Sequence, residues 1–470
     1  MNIKLYEIEP EKDNPFGNCK LEREKYADVL TSIIDSYPFG FVLGINNKWG
    51  TGKTTFVKMW EQKLKNNGHQ TVYFNAWEND FEDNPLTALM GELKVLTKKS
   101  TEKEFKATLK KAATLSKHIA PVIAQAIADK YIDTKSVKEA IDGVSKGLLD
   151  VFENEVNEYA EKKKNITDFK VSLSEFIANN FNGKPLIFII DELDRCRPNY
   201  AVSILEQIKH FFSVSNIVFV LSIDKTQLGN AVKGVYGSEH IDSDEYLRRF
   251  IDLEYSIPEP DEDVYYKYLY DYFEFDKFFD SSERKKSHEV LNDGENFIHI
   301  SNLLFNNRNI PLRLQEKIFG LARVALRGFG SNSYVVPHVF LFLTFIKVTD
   351  FGFYQDLKNK KLSLKEVQEK FLKIVELNKT DKTEHELMWL EVYLVNFYNN
   401  YKETSNDRES LYVYDGTLNS NKLLIDSIIN KNKNSDFLYI LENINRGRRE
   451  GNLDLGYFVK RIDLLENLKT

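Results

Sequence analysis

The chain has 470 residues, 42% of them apolar and 29% charged, with a net charge of −7 at neutral pH. That is the balance of a globular protein with core enough for two or three domains, and it argues against a surface that is basic all over, as a general nucleic-acid binder would have; a local basic patch stays open but nothing supports one. Two cysteines, Cys19 and Cys196, stand far apart without metal-ligand neighbours, which excludes a disulfide framework and points to a reducing, cytoplasmic setting.

The first residues lack the basic-then-apolar build of a signal peptide, and no window holds the run of about 18 uncharged apolar residues that a membrane helix needs. Glu22–Tyr37 carries Tyr26, Val29, Leu30, Ile33 and Ile34 at helical spacing and is closed by Pro38. Phe39–Ile45 predicts a buried strand, Thr54–Leu64 the helix after a glycine loop, and Thr71–Phe74 a second strand. Pro85–Leu96 suits a helix. Residues 97–165, rich in Lys, Glu and Ala and poor in aromatics, predict a helical insertion. Phe169–Phe181 predicts a further helix, Pro185–Ile190 a fully apolar strand ending in acids, Asn199–Phe212 a helix, and Ile217–Leu221 another buried strand. Buried strands alternating with helices predict an α/β fold, a three-layer core with a mostly parallel sheet covered on both faces. A boundary near residue 259 divides a core domain, 1–258, from an α-helical domain, 259–470. In the latter, helices are expected over Asp263–Phe279, Pro311–Leu326, Pro337–Ile346, Leu364–Glu376, Glu384–Tyr401, Asn421–Ile429 and Asp436–Ile444, with loops at the Asn- and Lys-rich runs 396–409 and 430–434.

The first chemical signal is Asn47-Lys48-Trp49-Gly50-Thr51-Gly52-Lys53-Thr54-Thr55, placed between a strand and a helix. Glycines let backbone N–H groups curl around a phosphate oxygen, and the helix N-terminus adds positive dipole. Lys53 can reach β- and γ-phosphates, and the Thr54 hydroxyl can hold Mg²⁺. The pattern G-x-x-x-x-G-K-[ST] puts its first glycine at Asn47, a residue type that tolerates a left-handed backbone. Asn47, Trp49, Gly50, Thr51, Gly52, Lys53, Thr54 and Thr55 are thus the candidate nucleotide contacts. Trp49 packing under the nucleotide and Trp49 filling core are both open, and Trp77 is expected to pack.

The second signal is Leu186–Arg195, a buried strand delivering acids at its end. Asp191 is the candidate second Mg²⁺ ligand beside Thr54. Glu192 is the candidate to orient and deprotonate the attacking water, with Asp194 as runner-up; an acidic turn after a core strand is the plainer alternative. The strand Ile217–Leu221, ending in Ser222-Ile223-Asp224, should lie beside it, where Ser222 or Asp224 could sense the γ-phosphate or merely cap the strand end.

These motifs together resemble the KAP family of P-loop NTPases over roughly residues 20–330. The resemblance rests on Trp49-Gly50-Thr51-Gly52-Lys53-Thr54, Phe74-Asn75-Ala76-Trp77, Ile190–Pro198 with Leu205–Lys209, Val220–Asp224 and Tyr246–Ile251, in the family's order. It implies an ATP-binding core in which the acid-bearing strand lies between the phosphate-loop strand and others. It also implies a helix at Leu312–Phe319 whose Arg313 contacts nucleotide. Many members carry membrane helices between the two motifs; here that stretch is polar, so embedding is not implied. The family includes proteins implicated in excluding phage, which makes defence an expectation by analogy. Arg248 and Arg249 are candidates for an arginine that neutralises transition-state charge, as are Arg195 and Arg197 beside the acids; a structural ion pair is the alternative for each.

Three functions follow as expectations: an Mg²⁺-dependent ATPase driving a helical domain or oligomer, a nucleotide-gated interaction module with slow turnover, and a scaffold with a vestigial site. A homo-oligomer, or a protein partner bound through the helical domain, is the expected assembly.

Overall fold

A computed structural model of the chain describes residues 9–128, 146–180, 184–210, 212–238, 240–259, 262–306, 310–402, 408–416, 420–447 and 450–464. Part of the expected insertion, residues 129–145, lies outside these, as do Phe181 and Phe211. The chain divides into two compact units, Ile8–Glu259 and Pro260–Thr470.

The first unit is built on five parallel strands: β1 (Val42–Asn46), β2 (Gln70–Asn75), β3 (Leu186–Asp191), β4 (Ile217–Ile223) and β5 (Leu253–Tyr255), in the order β2-β3-β4-β1-β5. The acid-bearing β3 thus lies between the phosphate-loop strand β1 and the outer β2, with β4 directly beside it and next to β1. Every residue of β3 and β4 is buried, because helices cover both faces, and all but Asp191 and Ser222 near the strand ends are apolar. Side chains alternate between the faces. Leu43, Ile45, Ile187, Ile189, Val218 and Val220 pack with α1 (Glu24–Ser36) and with Phe56, Val57 and Trp60 of α2 (Lys53–Asn66). Phe188, Ile190, Phe219 and Leu221 pack on the other face against α3 (Pro85–Val95) and α6 (Pro198–His210). Burial of Phe56 contributes about 1.5–3 kcal/mol. Continuing the alternation, Asp191 and Ser222 leave their strands on the α2 side.

The insertion supplies α4 (Glu102–Ala128) and α5 (Lys146–Asn180). They run antiparallel: Phe105 packs on Phe176, Thr108 bonds Ser172, and Lys111 reaches the carbonyl of Asp168. The helix expected to begin at Phe169 is the last part of α5, continuous from Lys146. Among the described residues no helix is long and apolar enough to cross a membrane. Two short helices, α7 (Lys225–Tyr236) and α8 (Ser243–Leu247), lead from β4 to β5.

The second unit is mainly helical. Its elements include α9 (Glu262–Tyr272), α10 (Asp276–Phe279), α11 (Asp293–Phe305), α12 (Leu312–Ala325), α13 (Pro337–Thr349), α14 (Phe351–Lys358), α15 (Leu364–Val375), α16 (Glu384–Lys402), α17 (Asn434–Arg446) and α18 (Leu455–Ile462). Three expectations are corrected. The single helix expected over Asp263–Phe279 is two, α9 and α10, broken around Glu274, which takes a left-handed backbone. Asn421–Ile429 is not a helix: Ser420–Leu423 (β7) pairs antiparallel with Tyr412–Asp415 (β6). The backbone that follows is satisfied by a buried carboxylate instead of by helical bonds, Ile428 N donating to Glu391 Oε1 at 2.8 Å and Ser427 Oγ to Oε2 at 2.7 Å. Asn396–Lys402 is not a loop but the end of α16. Its asparagines reach across to carbonyls, Asn400 to Gly451 and Leu453 at 2.9 Å each and Asn399 to Glu409 at 2.8 Å, and these contacts outweigh their poor helix propensity.

Candidate functional site

The glycine loop leaves β1 at Asn46 and enters α2 at Lys53. Gly50 (φ +80°) and Gly52 (φ +81°) take the left-handed backbone that glycine alone adopts cheaply. Gly52 caps α2 without any side-chain bond, so the first N–H groups of the helix face the loop's hollow. Lys53 is buried, its ammonium donating to the carbonyls of Asn47 (2.5 Å) and Lys48 (3.2 Å), which curls the loop round it. Burial pushes the Lys53 pKa down, while Asp194, Asp224 and Asp191 pull it back. Thr54 and Thr55, half-buried, lie on the first turn of α2, and the Thr51 hydroxyl bonds Lys48 O at 2.9 Å.

Asn47 is not among the residues of positive φ, so its glycine-like backbone role does not arise. Its side chain fastens the loop instead: Nδ2 donates to Ile257 O at 2.8 Å, and Oδ1 accepts from Ile257 N at 2.9 Å. A second fastening comes from Arg23, buried before α1, whose guanidinium donates to Thr51 O at 2.8 Å. Arg23 carries no signal in the sequence, since it sits in a charged stretch indistinguishable from a solvated face.

The acids gather at the ends of β3 and β4. Asp191, almost fully buried, accepts from the Tyr73 hydroxyl at 2.9 Å and from Glu192 N at 2.9 Å. Glu192 takes a left-handed backbone (φ +59°), unusual for a residue with a Cβ, which turns its side chain away from the strand line. Its Oε1 is 2.6 Å from the Arg195 guanidinium, and Asn75 Nδ2 donates to Oε2 at 3.4 Å. Burial raises the Glu192 pKa, with Arg195 opposing and Asp191 reinforcing. Asp194 is buried beside Lys53 and accepts from the Trp49 indole N–H; burial raises its pKa, against the Trp49 bond and the Lys53 charge. Asp224 divides its carboxylate, Oδ1 capping α7 at Gln227 N (3.3 Å) and Oδ2 accepting from Trp49 N in the loop (3.2 Å). Ser222, fully buried and paired in register with Asp191, has a hydroxyl with no protein partner.

The fold therefore brings Asn47, Trp49, Gly50, Thr51, Gly52, Lys53, Thr54, Thr55, Asp191, Glu192, Asp194 and Asp224 to one end of the sheet. Trp49 is 44% exposed and Trp77 51%, so neither fills core; the Arg195 guanidinium lies over the Trp77 ring, 5.7 Å from its centre. Arg248 and Arg249 are exposed at the β5 edge, Arg248 paired with Glu245 at 3.2 Å. Arg197 pairs with Asp80 and Asp83. Arg313, exposed on the first turn of α12, belongs to the second unit. Sequence alone gives Tyr73 and Asn75 no role of their own: β2 shows only a short apolar run, and Asn75 enters only within the Phe74-Asn75-Ala76-Trp77 stretch that carries the family resemblance.

The left-handed glycine cradle, the uncapped start of α2 and the orphaned Ser222 hydroxyl next to Asp191 suit a phosphate chain with a divalent cation. Comparison with known proteins gives the same class. The model of the KAP family P-loop domain matches residues 23–314. An uncharacterised protein of the archaeon Methanocaldococcus jannaschii is 44% identical over 62 residues, which are 13% of this chain and 31% of that protein. The chain thus spans under a third of that relative's length. P-loop NTPases as a class bind a nucleoside triphosphate with Mg²⁺. Since the family match takes in well over half of the 470 residues, the chain belongs to the KAP family of P-loop NTPases.

Proposed function

We propose that the chain is an Mg²⁺-dependent ATPase whose nucleotide state acts on its helical unit or on an oligomer. The observation that carries the reading is the convergence of a buried Lys53, two left-handed glycines and the Asp191–Glu192 pair at one end of the sheet. In this reading the loop N–H groups and Lys53 bind and orient the phosphates. Thr54 and Asp191 would hold Mg²⁺, which would supply positive charge to neutralise the phosphate chain. Tyr73 keeps one Asp191 oxygen fixed. Glu192 takes the proton of the attacking water, and Asp194 keeps Trp49 and Lys53 in place. The family match running on to residue 314, inside α12, supports the tie to the helical unit.

Phosphate release from MgATP tests it. Glu192→Gln is expected to lower the rate about 10²–10⁴-fold while leaving nucleotide binding intact, and Lys53→Ala to weaken binding and turnover together. Release unaffected by both substitutions would sink the reading. One observation favours slow turnover, a nucleotide-gated module: both Glu192 oxygens are already engaged, by Arg195 and Asn75. Tight ATP binding with negligible release would select that alternative.

A further inference from the structure

The turn after β2 and the stretch after β3 are joined around Glu192. The Asn75 side chain is fixed by its own turn, Oδ1 accepting from Trp77 N at 3.1 Å and from Glu78 N at 3.2 Å, so its NH₂ group faces Glu192. Arg195 is held on two sides, by Glu192 at 2.6 Å and by the Trp77 ring. Asp80 in the same turn accepts from Arg197 N at 3.0 Å, which ties the two stretches again beyond Arg195. The Glu192 and Arg195 side chains are only 13% and 28% exposed, so solvent competes weakly with their ion pair.

We propose that Arg195 is a positioning residue that restrains Glu192, with Trp77 as its buttress, and that turnover requires the Arg195–Glu192 pair to open. A base must offer an oxygen to the water it deprotonates. In the arrangement described, one Glu192 oxygen lies in a short charge-assisted bond and the other faces a fixed amide. The aromatic face of Trp77 keeps the guanidinium from swinging into solvent, and so keeps the pair closed. The inference rests on the reading of Glu192 as the base.

Steady-state release of phosphate from MgATP by the full chain tests it, with Arg195→Ala, Arg195→Lys, Trp77→Ala, Glu192→Gln and the double variant Arg195→Ala/Glu192→Gln. Arg195→Ala is expected to raise kcat several-fold with KM for ATP unchanged. Arg195→Lys brings kcat back toward the wild-type value, and the double variant is as slow as Glu192→Gln. Trp77→Ala, which leaves residues 192–195 intact, raises kcat in the same direction by less, and stands in if Arg195→Ala does not fold. A kcat that falls or stays level in both Arg195→Ala and Trp77→Ala, or a change carried by KM, overturns the restraint; a fall would mean that Arg195 works on the phosphates. If Glu192→Gln releases phosphate at the wild-type rate, the base assignment itself is lost and the restraint with it. A slow Glu192→Gln beside Arg195→Ala and Trp77→Ala variants that are both no faster than wild type removes the restraint alone.

Discussion

At Asn47 one side chain makes two hydrogen bonds with the backbone of a single residue, Ile257, as an adjoining strand would. Glycine, the residue of the usual phosphate-loop pattern at this place, can make neither. Asn47→Gly is therefore expected to destabilise the first unit by about 1–3 kcal/mol, through two lost bonds and a freer unfolded chain. It should also weaken ATP binding several-fold, because the loop loses a fastening. Thermal unfolding and calorimetric titration check the two parts; equal affinity for the variant would show that the fastening does not matter to the ligand. The departure at residue 47 was legible in the sequence, but its reason was not. Its partner lies 210 residues further on, and no local pattern reaches that far. Lys53, Asp191 and Glu192 were legible because strand, turn and helix signals flank them directly. Arg195 was visible only as a charge near the acids; that it holds Glu192 depends on the left-handed turn at 192, which the sequence does not announce.

Elements show the same division. The buried runs of β3 and β4 were readable because two covered faces leave an unbroken apolar stretch. The amphipathic helices α2, α12 and α15 were readable from their spacing. The β6–β7 hairpin and the asparagine-rich end of α16 were not, since partners distant in sequence decide both: Glu391 takes the N–H groups after β7, and the asparagines take carbonyls beyond residue 408. Packing between α13 and α16 carries a pH dependence. His338 lies against the Tyr393 ring with centroids 6.2 Å apart, and burial, with His299 nearby, pushes its pKa down to about 4 from 6.5. The folded-state value is the lower one, so the contribution of the neutral imidazole is whole above pH 6.5 and is lost as pH falls toward 4. The thermal midpoint of wild type minus that of His338→Phe is expected to decrease across that window. A difference that is flat with pH would refute the assignment.

For the molecule as a whole, the family match begins at Arg23, the residue that braces the loop from below, and ends inside α12, past the division at residue 259. The stretch matched by the family model therefore takes in the start of the helical unit along with the core. A ligand that binds only the folded chain stabilises it by mass action, about 2.7 kcal/mol at one hundred times its Kd. MgATP is expected to raise the unfolding midpoint of wild type, and to slow amide exchange at residues 47–55 and 191–195. Lys53→Ala should show neither effect. The bond between Asn47 and Ile257 also bears on how the protein is made. At a synthesis rate of about 5–20 residues per second, the loop leaves the ribosome about 10–40 s before the residue that fastens it. β1 waits with it, since both its neighbours, β4 and β5, are made later still than β2 and β3. A nascent core therefore lacks the fastening of its glycine loop until the residues just past its last strand emerge, and a nucleotide bound at that loop would stabilise the fold only from that moment on.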